Sequence, residues 1–367
     1  MKADVSVIVP LYNAKHLVKY TVDSLLNQTL ENIEVVIIDD CSTDGSLEFC
    51  RELYGQDQRV VLLKQAKNAG PGAARNTGIR SASGEYVVFC DSDDEIMPDT
   101  YRKMFEIAKK FDADVVQNTQ FLYPMPDEEG KIPLQLLDSS VELFPFGVES
   151  GYYKEVTLLT EDLAERLEKW TARQLNWSVC SKMIRREFLL NNGIAFSDMK
   201  LAEDMVFCFE CLFKSKNYVV VPGGGYAYRI SASSLSRGKK SSAHVLKALR
   251  SQMGAVDTMS RILDGIPFFV ANPDKARIAL ERVLDDLEVG YIRPAFQELG
   301  EEKLRSDNIV HEFMQEKFGD KAPYVEFLFY ELHKNYEEVF DFFGQVGDME
   351  AWKVLSKKMR DEERAKQ

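Results

Sequence analysis

A mostly parallel α/β sheet with helices on both faces, followed by a helical C-terminal region, is the fold class that this 367-residue sequence predicts. Three observations carry it. Short apolar runs alternate with segments of helical spacing through the first third of the chain, the pattern of βαβ units whose strands are covered on both faces. Those runs end in acidic or aromatic residues, which right-handed crossovers gather on one rim of the sheet. From about residue 242 onward the strand pattern stops and strongly charged helical spacing takes over.

The elements follow in order. Val5 to Pro10 is an apolar run closed by proline and reads as the first strand; Leu17, Val18, Val22, Leu25 and Leu26 then recur at helical spacing. Ile33 to Ile38 is a second strand ending in Asp39 and Asp40, Ser46 to Leu53 a second helix, and Val60 to Lys64 a third strand. Gly70 to Gly78 is a glycine-rich loop entering a helix, and Tyr86 to Cys90 a fourth strand. Residues 121–150 carry several prolines, the run Asp127 to Gly130 and little periodicity, so an irregular excursion is expected there. Trp177 to Leu190 and Leu201 to Phe213 read as amphipathic helices, and Val219 to Pro222 as a further strand. Ser233 to Ser242 has the composition of a linker. The chain then divides into a domain at 1–235, with halves 1–120 and 121–235, and a helical region at 242–367.

Composition removes several classes. With 45% apolar and 29% charged residues the chain is an ordinary globular one, and its net charge of -13 argues against non-specific nucleic-acid binding and for cations or basic partners. The six cysteines are scattered rather than arranged as a disulfide framework; Cys208 and Cys211 sit in apolar surroundings that suggest a buried helix, not a redox or metal pair. Met1 to Val5 leads straight into a strand without a signal-peptide layout, and no apolar run approaches the roughly 18 residues of a membrane span. The expected compartment is the cytoplasm. The tail from Lys357 offers basic residues for peripheral contact with an anionic membrane, but they alternate with acids, as on a solvated helix end. Nothing in the sequence sets an oligomeric state.

The most informative stretch is the fourth strand with Asp91, Ser92, Asp93 and Asp94 at its end. Ligands of open α/β sheets gather outside the carboxyl ends of such strands. Asp91 and Asp93 are two apart, so an extended backbone projects both to one side, where carboxylates repel unless one is protonated or a cation intervenes. Hard oxygen ligands of this kind suit Mg2+ or Mn2+ with positions left for substrate phosphates; the competing reading is a solvated acidic turn before a helix.

Taken together, Val5 to Asn13, Val35 to Ser46, Asn68 to Gly78, Gly84 to Asp94 and Glu203-Asp204 resemble the motifs of family 2 glycosyltransferases of the GT-A fold, in the order expected of that family over roughly the first 235 residues. Trp177 to Arg186, Gly193 to Phe196 and Glu203-Asp204 resemble the acceptor-side signature of bacterial members that build cell-surface polysaccharides; the C-terminal third resembles nothing known to us. The resemblance implies a nucleotide-sugar donor, UDP-linked, and a glycan or lipid-linked acceptor. It puts Pro10 and Tyr12 at the donor rim with the Tyr12 ring on the nucleobase, and it has Asp40 accept from a pyrimidine imide N–H while Asp39 orients the loop. Arg75, Asp91 and Ser92 join the donor site, Arg75 near the diphosphate and Asp91 contacting the ribose or, indirectly, the metal. Asp93 becomes the chief ligand of Mn2+ or Mg2+, with Asp91 and Asp94 supporting. Asp204, with Glu203 beside it, becomes the general base of an inverting transfer. Some relatives complete the metal shell with a histidine, yet none of His16, His244, His311 and His333 immediately follows Glu203-Asp204. The Asp44-Gly45-Ser46 segment reads as a turn and helix cap. Tyr226, Tyr228, Arg229 and Ser233, Ser234 and Ser236 read either as a lid over the diphosphate or as a tyrosine-rich edge strand.

Two other classes compete. A haloacid-dehalogenase-type phosphotransferase also places Asp-x-Asp after a strand, but Glu95 stands where that class usually has Thr or Val, and the Tyr12 and Asp39-Asp40 rims have no part in it. A non-catalytic scaffold would keep the nucleotide or glycan site and use the helical region for interactions. A nicotinamide or S-adenosyl enzyme is disfavoured, because no glycine fingerprint follows the first strand.

Overall fold

The computed structural model describes residues 2–122, 143–144, 153–199, 201–229 and 241–334. The chain forms two compact units, Met1–Gly238 with Ser251–Leu287, and Lys239–Arg250 with Glu288–Gln367.

In the first unit β1 (Val5–Leu11), α1 (Val18–Leu26), β2 (Ile33–Asp39), α2 (Ser46–Tyr54), β3 (Val60–Lys64), α3 (Pro71–Ser81) and β4 (Tyr86–Phe89) alternate as their spacing predicts. Then come β5 (Glu95–Ile96), α4 (Thr100–Lys110), β6 (Val115–Asn118), β7 (Phe121–Leu122), β8 (Leu143–Phe144), β9 (Thr157–Leu158) and α5 (Leu163–Thr171). They are followed by β10 (Lys182–Arg185), α6 (Arg186–Asn191), α7 (Glu203–Lys214), β11 (Tyr218–Val221) and β12 (Tyr226–Ala227). The main sheet has eight strands in the order β3-β2-β1-β4-β10-β6-β11-β9. The pairs β2–β3, β1–β2, β1–β4 and β6–β11 are parallel, while β10 runs antiparallel between β4 and β6. From β1 the chain winds outward through β2 to β3 and then returns to place β4 on the other side of β1. The strand order therefore reverses between β1 and β4, the place where open sheets of this kind leave a ligand crevice.

Alternation along β1 sends Val5, Val7, Val9 and Leu11 to one face, in a core with Val18, Val22 and Leu25 of α1 and Met104 and Ala108 of α4. The opposite face packs on α3 at Gly78, where an added Cβ would lie 2.3 Å from Ile8 Cγ2. It also packs on the ring cluster in which Phe89 meets Phe196 and Phe207. Both faces of the sheet are covered, as expected.

The expected single helix over Trp177 to Leu190 is corrected. A short turn at Val179–Ser181 leads into strand β10, and only then does α6 begin. Met183 and Ile184 are fully buried between Val88 and Val87 of β4 and Val116 and Val115 of β6. An apolar run this short satisfies either period, and strand pairing on both edges decided it. The Cys208–Cys211 pair lies buried in α7, as its surroundings suggest. Most of the 121–150 excursion lies outside the described residues; its strands β7 and β8 pair antiparallel within a four-stranded sheet of order β5-β12-β7-β8.

After α8 (Ser242–Asp264), the first unit also takes in α9 (Pro267–Ala271) and α10 (Pro273–Leu287), and Phe269 of α9 packs on Phe209 and Phe213 of α7. The second unit holds α11 (Arg293–Leu299), α12 (Glu301–Ser306), α13 (Ile309–Phe318) and α14 (Ala322–Lys334) around buried Phe296, Leu304, Val310, Phe313 and Tyr330. The apolar stripe from Phe327 falls in α14; the one at Val339 to Phe343 and the charged tail lie outside the described residues. Among the described residues no helix is long and apolar enough to cross a membrane.

Candidate active site

The rim beyond β1, β2 and β4 carries the residues singled out from the sequence. Tyr12 follows β1 and is 50% exposed, an unusual position for a large ring and one open to stacking. Pro10, in register with Ile38, is half-buried. The loops after β1 and β2 are fastened to each other. Asn13 Oδ1 accepts from Thr43 N, Asp44 Oδ2 accepts from Lys15 N, and Ala14 N donates to Ser46 Oγ. Asp44 therefore does more than shape a turn. It takes the Ser46 amide of its own loop and the Lys15 amide of the other, and Gly45 (φ 83°) holds the helix-capping position with no side-chain cap.

Asp40 is buried and holds the β3–α3 loop: Oδ1 accepts from Gln65 Nε2 and Ala69 N, and Oδ2 from Gly70 N at 2.7 Å. Asp39 Oδ1 accepts from Ser42 N, and its buried Oδ2 has no hydrogen-bond partner among the described residues. Gly70 (φ 94°) needs the left-handed region that glycine alone adopts freely, and Pro71 starts α3 behind it.

Arg75, one turn into α3, lies 6% exposed in the interior rather than out at the rim. Its Nη2 donates to Asp91 Oδ1 at 2.8 Å and its Nη1 to Glu203 Oε1 at 3.3 Å, while the guanidinium stacks on Phe196 at 5.4 Å. Burial opposes its charge, but Asp91, Glu203 and Asp204 outweigh burial and hold it firmly protonated. The fork thus joins the acids after β4 to the carboxylates at the start of α7, with Glu203 128 residues from Arg75 in sequence. Asn76 adds a clasp, giving Nδ2–H to Phe196 O and accepting from Phe196 N. Gly72 lets Glu203 and Phe196 approach, since a Cβ there would meet both at 3.2 Å.

The acids after β4 divide into two kinds. Asp91, Ser92 and Asp93 are partly exposed at the crevice. Desolvation and then the Asp91 charge push Asp93 up to about 6, the signature of a crowded anionic site that a cation would relieve. Asp94 is 1% exposed, and both its oxygens are taken: Oδ2 by Tyr226 O–H at 2.6 Å and Oδ1 by Arg229 N at 2.7 Å. It stands behind the turn, apart from the crevice. Among the described residues no group of three or more His, Cys, Asp and Glu side chains is arranged to hold a metal by itself. Asp91 and Asp93 nonetheless fit a hard divalent cation of the Mg2+ type, which takes one or two carboxylates and completes its shell with phosphate and water oxygens.

Glu203 and Asp204 open α7, as their position predicts, after Ala202 in the left-handed region (φ 60°). Asp204 Oδ1 accepts from Met205 N. Burial, and then the neighbouring charge of Glu203, raise its carboxyl to about 7, against the lowering effect of Arg75. A carboxylate that titrates near neutrality is suited to take a proton from a hydroxyl.

Residues that the sequence reading missed or misplaced complete the site. Tyr226 and Arg229 belong to the interior. Strand β12 is flanked by β5 and β7, so it is not an edge, and Ser233, Ser234 and Ser236 lie outside the described residues. Lys182, 1% exposed, directs Nζ at Asn176 O and Oδ1, Ser178 O and Ser181 Oγ, bracing the turn that precedes β10; burial pushes its pKa down. A lysine that opens a strand whose next two residues, Met183 and Ile184, are fully buried is the signal that could have found it.

Residues 6–158 match the family model described as Glycosyl transferase family 2. The match leaves the phosphotransferase reading without support. Streptococcus pneumoniae glycosyltransferase GlyA is 33% identical over 236 residues, 64% of this chain and 31% of GlyA. The poly(ribitol-phosphate) beta-glucosyltransferase of Bacillus spizizenii is 30% identical over 230 residues, 62% of this chain and 32% of that protein. The chain spans less than two thirds of the length of the first curated relatives it matches. Among solved structures, Staphylococcus aureus TarS 1–349 in complex with UDP-GlcNAc shares the fold at a TM-score of 0.58 and 21% identity, over 85% of this chain and 81% of that one. The GT-A fold class is thus the observed one.

Proposed function

We propose that this chain is an inverting glycosyltransferase. It moves a sugar from a UDP-linked donor to a hydroxyl of a glycan or lipid-linked acceptor during bacterial surface-polysaccharide synthesis, in the cytoplasm or at the inner membrane face. The observation that carries the reading is the Asp91–Arg75–Glu203 link, which joins the crevice acids to the carboxylates of α7 within one site. The solved complex of TarS with UDP-GlcNAc and the activity named for the Bacillus relative support the donor class and the setting.

Residues 1–235 would carry the reaction, 1–120 holding the donor and 121–235 the acceptor. Tyr12 would offer its exposed ring to the base, flanked by Pro10, and Asp40 would accept an imide N–H on Oδ2 beside the Gly70 amide that it already holds, while Asp39 fixes the Ser42 turn. Asp93 and Asp91, with Ser92 beside them, would hold Mn2+ or Mg2+, which when bound offsets charge on the departing diphosphate. Asp94 supports them from behind the turn. Asp204 accepts the proton of the attacking hydroxyl through Oδ2, its Oδ1 being held by Met205 N. One base and no protein nucleophile give a single displacement, hence inversion. Arg75 keeps Glu203 close to Asp204, and Glu203 raises the basicity of Asp204. The region 242–367 has no assigned step.

The test is Asp204→Asn. It should retain metal-dependent UDP binding and lose about 10²–10⁴-fold in transfer, the usual contribution of a general base. Full turnover by this variant would remove Asp204 from that role.

A further inference from the structure

We infer that Tyr226 and Arg229 are positioning residues for the carboxylates that face the donor diphosphate. They clamp the Asp91–Glu95 turn from behind, so that cation affinity is set partly by strand β12. This rests on the proposed role of Asp91 and Asp93. The turn itself has little to hold it: its internal backbone bond is Asp94 N to Asp91 O at 3.1 Å, and Asp91 and Asp93 repel each other. Residues 226–229 supply what is missing. Tyr226 O–H donates to Asp94 Oδ2 at 2.6 Å, and the Tyr226 hydroxyl oxygen accepts from Asp91 N at 3.1 Å, so one hydroxyl ties both ends of the turn. Arg229 N donates to Asp94 Oδ1 at 2.7 Å, Arg229 Nε to Asp93 O at 3.0 Å, and Arg229 Nη2 to Glu95 Oε1 at 2.8 Å. The Arg229–Glu95 pair is buried, with side chains 5% and 4% exposed, and the guanidinium lies 5.4 Å from the centre of the Tyr20 ring.

The sequence provides for this approach. Gly225 accepts from Met97 N at 2.8 Å, and a Cβ on it would fall 1.8 Å from Thr100 Oγ1; a Cβ on Gly224 would fall 2.0 Å from Gln120 O. The glycines let β12 lie flat against the segment that follows the acids. Groups that orient metal-binding side chains without touching the metal typically change affinity by about 10–100-fold when removed. Tyr226 and Arg229 take the corresponding place here: neither is a catalytic residue, and both act through the turn.

Tyr226→Phe removes the hydroxyl and keeps the ring. Two readouts are made on the full chain: the Mn2+ concentration that half-saturates UDP binding, and hydrogen exchange at the Asp91 and Asp94 amides in the absence of metal. We expect the Mn2+ requirement to rise about 10-fold, UDP binding in EDTA to stay as in the wild type, and exchange at both amides to accelerate. Tyr54→Phe is the matched control: it deletes a hydroxyl that binds Asp23 Oδ1 on another face and should change none of these. An unchanged Mn2+ requirement in Tyr226→Phe overturns the inference, whatever the exchange shows. If wild-type protein binds UDP without regard to Mn2+, the metal reading itself fails, and the clamp is judged on exchange alone, where wild-type rates in the variant overturn it. If Tyr226→Phe does not fold, Arg229→Lys is measured in the same way, because a lysine replaces the separate Nε and Nη2 donors to Asp93 O and Glu95 Oε1 with one nitrogen.

Discussion

Asp204→Asn should make the ligand-free protein more stable while removing its activity, and the gain should depend on pH. The carboxyl of Asp204 lies near 3.8 when unperturbed and at about 7 in the fold, raised by burial and then by Glu203. Below about pH 4 both the folded and unfolded states hold the proton, so ionisation contributes nothing. Between about pH 4 and 7 the unfolded chain has released a proton that the folded protein retains, so folding loses stability as pH rises. Above about 7 the penalty is complete. At about 1.36 kcal/mol per pH unit the ceiling is roughly 4 kcal/mol, and because Asp204 is only partly buried we expect about 1–3 kcal/mol in practice. Asn keeps the acceptor for Met205 N and carries no charge. Urea unfolding of both proteins from pH 4 to 8, without metal or nucleotide, reads the difference. It should be near zero at pH 4, grow through pH 5–7 and level off above 7 in favour of Asn. A difference that is flat across this range, or an Asn variant less stable at pH 8, would refute the idea that the site holds a destabilised carboxylate.

Other outcomes follow from the same geometry. If Asp204 is the base, kcat/KM should fall about tenfold per pH unit below about 7, since the ionised form is required, and Glu203→Gln should move that limb to lower pH. Arg75→Met should lower stability by about 3–5 kcal/mol in urea melts, because Glu203 is left buried without its partner. The more exposed Asp91 should add little to that loss, and Glu203→Gln should recover part of it in the Arg75→Met background. Gly78→Ala drives a Cβ into Ile8 Cγ2 and should cost about 1–3 kcal/mol in the same assay while leaving the Arg75 contacts in place.

Much of residues 1–120 was legible because the strands there are buried on both faces and read as unbroken apolar runs, as Val35 to Ile38 and Tyr86 to Phe89 do. The acids and Tyr12 sit where those runs stop, and α7 begins at Glu203 as its pattern predicts. What was not legible depends on contacts across long sequence separations. Arg75 reads as a rim residue until Glu203 is seen to meet it, and β10 reads as helix until its two partner strands are known. Asp94 looks like a third ligand beside Asp93, yet Tyr226, 132 residues on, commits it to the interior. Tyr226 to Arg229 reads as a lid or a tyrosine-rich edge strand, because only the three-dimensional approach allowed by Gly224 and Gly225 shows how deeply it is set.

The most direct test of the donor site is calorimetric titration of UDP, GDP, CDP and dTDP into the wild-type protein and Asp93→Asn, each with Mn2+ and with EDTA. We expect UDP to bind the wild type with Mn2+ far more tightly than the other nucleotides, and that advantage to be lost in EDTA and in Asp93→Asn. Folded wild-type protein that binds none of the four nucleotides under either condition would contradict a nucleotide-sugar site at Asp91 and Asp93.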